Sequence, residues 1–165
     1  MITNSAPGFQ TGMATLLLLL MSGSVFGQTH DPEALAAARA ELQAERQEIL
    51  RQELRLTESE SLSFWPIYDN YRRDMMQVRD RQVEMITGYL QAYDSGELSD
   101  SYADKLLKDY FTIENDVMKV KKKYLPKFRK NLSALHVARF YQLENKIDAE
   151  IDVNLADMIP LVDPG

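Results

Sequence analysis

Apolar side chains along the chain recur at steps of three and four, and no segment alternates apolar and polar as a half-buried strand would. Phe64, Tyr68, Tyr71, Met75, Val78, Met85 and Tyr89 form one such line, with Gln82 as its polar member. Ala103, Leu106, Tyr110, Ile113, Val117, Val120 and Tyr124 form a second. Each line is a coiled-coil seam on one helix face. Between them residues 94–98 read DSGEL, turn chemistry with Gly96 able to take positive φ. The pattern therefore predicts an antiparallel helical hairpin, its arms roughly 50 Å long at 1.5 Å per residue.

Capping chemistry sets the other boundaries. Asp31 as N-cap and Pro32 at the first helical position start a first helix that runs to about Leu54. Leu35, Leu42, Ile49 and then Leu56 recur every seven residues, a narrow stripe suited to lying along a partner. The second helix begins after Thr57, which forms a capping box with Glu60, and ends near Tyr93. Ser99 and Asp100 start the third. The fourth follows Ser133 and runs to about Met158, with Val137, Phe140, Ile147 and Ile151 inward and Pro160 as its stop. The expected fold is all-α: four helices in one domain over residues 31–160, elongated and curved, with a short tail at 161–165.

Two prolines interrupt the hairpin pattern. Pro66 and Pro126 each lie thirty residues from Gly96, so equal distance from the tip predicts a shared kink at one height. The alternative is that Pro126 simply ends the third helix early.

A shift of 76 residues superposes the starts of helices two and four. Leu56-Thr57 meets Leu132-Ser133, Phe64 meets Phe140, Trp65 meets Tyr141, and Ile67 meets Leu143. The adjacent aromatic pair at one distance from the cap favours a repeated helix-pair unit. At these residues the chain resembles the Spy/CpxP-like group of periplasmic proteins, whose paired Leu-Thr-x-x-Gln motifs cap helices of a small all-α fold. Here the motifs read Leu56-Thr57-Glu58-Ser59-Glu60 and Leu132-Ser133-Ala134-Leu135-His136, so Glu60 and His136 stand where that family has Gln. The resemblance implies a curved homodimer acting as a chaperone, as an envelope-stress accessory factor, or as a sensor working through a membrane signalling partner. The family's cradle is generally basic, whereas this chain carries a net charge of −6.

Composition narrows the setting. The first 27 residues hold no Asp, Glu, Lys or Arg, and residues 13–21 read MATLLLLLM. That run is too short to span a bilayer and fits a signal-peptide core, with cleavage expected after Gly27 and a flexible start at 28–30. The mature protein is then expected in the periplasm without stable membrane insertion. Cysteine is absent, which excludes disulfides, thiolate metal sites and lipid attachment at a thiol. Acidic net charge argues against nucleic acid as a partner.

The sequence carries no G-x-S-x-G, no H-E-x-x-H and no glycine-rich phosphate loop, so no catalytic residue and no cofactor is assigned. No metal is assigned: His136 is a candidate ligand, with Glu144 and Asp148 on the same helix, but Glu144 is eight residues away, and the place of His136 three residues after Ser133 fits a partner for the helix start better. Residues 119–130, KVKKKYLPKFRK, hold seven cations and no acid. They offer either a dock for an anionic partner or an electrostatic fit to the acids Glu58, Glu60, Asp69 and Asp74 across the hairpin. Trp65 and Met76 fall off the seam and are the candidates for a dimer or client surface, together with the first helix's stripe.

Overall fold

The computed structural model describes residues 32–163. The signal-peptide assignment, the cleavage site, the flexible start, Asp31 and the last two residues of the tail lie outside the described residues. Four helices follow in order: α1 Pro32–Leu54, α2 Glu58–Ser95, α3 Asp100–Asn131 and α4 Ala134–Ala156. They form two compact units. One holds α1 with Phe140–Ala156, and the other holds Leu56–Arg139 with the segment from Asp157 onward. Among the described residues no helix is long and apolar enough to cross a membrane.

The larger unit is the hairpin of α2 and α3. The expected α2 seam is its core: Phe64, Tyr68, Tyr71, Met75, Val78 and Tyr89 are all buried. From α3 come Ile113, Val117, Tyr124 and Phe128. The rings interlock, with Phe64 5.5 Å from Phe128 and Tyr71 edge-on to Tyr124 at 5.7 Å. Such pairs add roughly 0.5–1.5 kcal/mol beyond the area they bury. Tyr110 departs from the expected seam and is 45% exposed. Gly96 closes α2 at φ 70°, and the Glu97 N–H donates to the Ala92 carbonyl at 2.9 Å, which satisfies the helix end. Tyr89 ties the tail down by donating its hydroxyl to the Pro160 carbonyl at 2.7 Å.

Both prolines sit inside continuous helices, so Pro126 does not end α3, which runs on to Asn131. Ion pairs across the hairpin fix its register. Asp74 meets Lys123, and seven residues further along α2 Arg81 meets Asp116, seven residues back along α3. Nearer the prolines, Phe64, two residues before Pro66, packs on Phe128, two residues after Pro126, at 5.5 Å.

In the smaller unit α1 buries Arg46, Leu50 and Leu54, while Leu42 and Ile49 pack on Ile147 with Ile151. Two members of the expected stripe, Leu42 and Ile49, thus pack within the chain. Leu35's side chain lies outside the described residues.

Candidate functional site

The two helix starts singled out in the sequence meet in space. Thr57 is the N-cap of α2: its Oγ1 accepts from the Glu60 N–H at 3.3 Å, and Glu60 Oε2 accepts from the Thr57 N–H at 2.9 Å. The Thr57 hydroxyl also donates to Glu60 Oε2 at 2.9 Å. Ser133 does the same for α4, its Oγ accepting from the His136 N–H at 3.2 Å. Each cap satisfies a backbone donor that the first helical turn leaves without a partner.

Glu60 then uses its second oxygen. Its Oε1 lies 3.0 Å from His136 Nδ1, both side chains being partly buried. These are the fifth residues of the two motif copies, 76 positions apart in sequence. The Thr57 backbone N–H, then the Thr57 hydroxyl and then His136 hold the Glu60 carboxyl below its ordinary value. An ionised carboxylate only accepts, so the proton in this contact sits on His136 Nδ1. The two residues that the 76-residue shift aligns thus make a carboxylate–imidazole contact.

Glu144 and Asp148, the other candidate ligands, are engaged elsewhere. Arg46 donates through Nη1 to Glu144 Oε2 at 3.1 Å and through Nη2 to Asp148 Oδ1 at 2.9 Å, and all three are buried. Burial, and then the Glu144 charge, push the neighbouring Tyr141 hydroxyl up to about 12. Among the described residues no three His, Cys, Asp or Glu side chains converge on a common point. One arginine between two carboxylates four residues apart is a structural clamp, and sequence reading missed it because Arg46 looked like one of many surface charges. Its spacing of four and eight from Leu50 and Leu54 was the available signal.

The basic run pairs across and along the hairpin. Lys123 Nζ lies 2.6 Å from Asp74, whose carboxylate also accepts from the Tyr124 hydroxyl at 2.9 Å. Lys123 first, then Tyr124, hold Asp74 below the ordinary carboxylate range. Lys119 binds Asp116 at 2.8 Å, and Lys127 stands 4.3 Å over the Tyr124 ring. Of the four acids expected opposite the basic run, Asp74 is thus seen to pair with it across the hairpin.

Trp65 is half-buried, edge-on to Phe64 at 5.1 Å and to Tyr68 at 5.5 Å, whereas Met76 is 36% exposed. No protein-family model, curated protein or solved structure matches the chain.

Proposed function

We propose that this protein is a non-enzymatic exported binding protein of the Spy/CpxP-like kind, a periplasmic chaperone or envelope-stress accessory factor that works as a homodimer. The observation that carries the reading is the meeting of the two motif copies: Thr57 and Ser133 cap their helices in the same way, and Glu60 and His136 touch. The surface supports it as well. Leu62 and Met76 are exposed on α2, and Trp65, three residues after Leu62, is partly exposed, apolar groups of the kind that hold unfolded segments loosely. Export is assigned to a cleaved signal at residues 1–27. The decisive assay measures whether the purified protein suppresses aggregation of an unfolding client at near-stoichiometric ratio. Unchanged client aggregation sinks the chaperone reading.

The Glu60–His136 contact favours a second reading, a sensor module responding to metal or envelope state through a membrane signalling partner. Stoichiometric binding of Zn²⁺ or Cu²⁺ that is lost in His136→Asn supports that reading over the first.

A further inference from the structure

The solvent side of α3 carries a second apolar line that the hairpin core does not use. Leu107, Phe111 and Met118 are 54%, 65% and 49% exposed. Separated by four and seven residues, they stand on one face of the helix, away from buried Ile113, Val117 and Tyr124. Leu107 and Phe111 line a shallow groove with Asp104 and Lys108. Following the three-and-four spacing through this face gives Asp104, Leu107, Phe111, Glu114, Met118 and Lys121. That is a second heptad seam, half apolar and half charged.

The charges decide what covers it. Two copies laid parallel would set Asp104 on Asp104, Glu114 on Glu114 and Lys121 on Lys121. Laid antiparallel about a two-fold axis, the layers become Leu107 on Met118, Asp104 on Lys121, and Phe111 on the stem of Glu114, each occurring twice. The complementarity extends along the helix. Residues 100–116 hold five acids and two lysines, while residues 117–131 hold seven cations and no acid. An antiparallel pair sets the acidic half of each copy against the basic half of the other.

We infer that the protein self-associates through the outer face of α3, as a two-fold antiparallel pair with Leu107 against Met118 and Asp104 against Lys121. This rests on the homodimer in the proposed function and fixes its face and register, in place of the α1 stripe.

Absence of native cysteine makes thiol cross-linking a clean test on the whole chain. Leu107→Cys mixed with Met118→Cys should yield a disulfide-linked dimer on mild oxidation, and neither variant alone should. Within one copy, or between like positions of an antiparallel pair, the two sites are about 16 Å apart, beyond the reach of a disulfide. Phe111→Glu and Asp104→Lys should each raise the dimer dissociation constant about tenfold or more, and Lys121→Asp combined with Asp104→Lys should restore it. Asp104, Leu107, Phe111 and Met118 are exposed and Lys121 is partly exposed, and circular dichroism checks that helix content holds. A dimer that cross-links through Leu107→Cys alone, or that ignores Phe111→Glu, overturns this inference and leaves the homodimer standing. A monomer by light scattering at high micromolar concentration overturns both.

Discussion

Glu60 links the start of one helix to the start of another through three hydrogen bonds to two residues. Because its folded-state carboxyl titrates below the ordinary value of 4.5, unfolding favours proton uptake. Its contribution to stability is complete above that value and is lost as pH falls through the lowered one. Asp74 and Asp116, held down chiefly by Lys123 and Lys119, act in the same direction. The melting temperature should therefore decline from about pH 5 downward, and Glu60→Gln should flatten part of that decline. Parallel declines in variant and parent would show that Glu60 does not carry it. The caps give a simpler expectation. Thr57→Ala should cost about 1 kcal/mol, and Ser133→Ala about the same, because each leaves a first-turn N–H without its acceptor. Melting with the parent in both variants would mean the helix starts draw no stability from these hydroxyls.

Helix ends show the same backbone geometry filled by opposite residues. Gly96 after α2 has φ 70° and Arg55 after α1 has φ 52°, both left-handed. Glycine takes that conformation without strain, whereas arginine does not. Gly96→Ala should destabilise by about 1 kcal/mol, and Arg55→Gly should stabilise by up to about the same. Denaturant midpoints that move in one direction for both would refute the argument. Gly96 was legible in the sequence because DSG before a new cap has few other uses; Arg55 carries no signal, since its φ follows from how the chain leaves Leu54. The α2 seam was legible for a related reason: seven apolar residues at regular steps admit one face. Phe128 was hidden by Pro126, which read as an alternative stop although the helix passes through it. Leu50 and Leu54 were hidden by Arg46, because a charge in the first position of an otherwise apolar face breaks the periodic count. Tyr110 erred the other way, continuing the period onto a side of α3 that faces solvent. What the period could not reveal at all was the contact of Glu60 with His136, which depends on two helix starts converging.

At the scale of the whole molecule the two units differ in what fills their cores. The hairpin unit is closed by aromatic rings, while the other buries Arg46 with Glu144 and Asp148 beside Leu50, Leu54, Phe140 and Ile147. A buried ion cluster contributes little net stability when intact, yet breaking it strands charge in a dry site. Arg46→Met removes the cation that lies between Glu144 and Asp148, and should cost about 3–5 kcal/mol. The triple variant Arg46→Met, Glu144→Leu, Asp148→Leu removes the charges together and should be neutral or stabilising. α4 belongs to both units, so the loss has a defined boundary. Local opening separates along cooperative segments, and the segment weakened here is α1 with the part of α4 beyond Arg139. In Arg46→Met, amide exchange should quicken through α1 and Phe140–Ala156, while the amides around Tyr68, Tyr71 and Tyr124 keep the parent's protection. Ser133 and its cap should hold the first turns of α4 with the hairpin. Uniformly faster exchange along the whole chain would mean that the units open together, and that the clamp on Arg46 stabilises the aromatic hairpin as much as its own core.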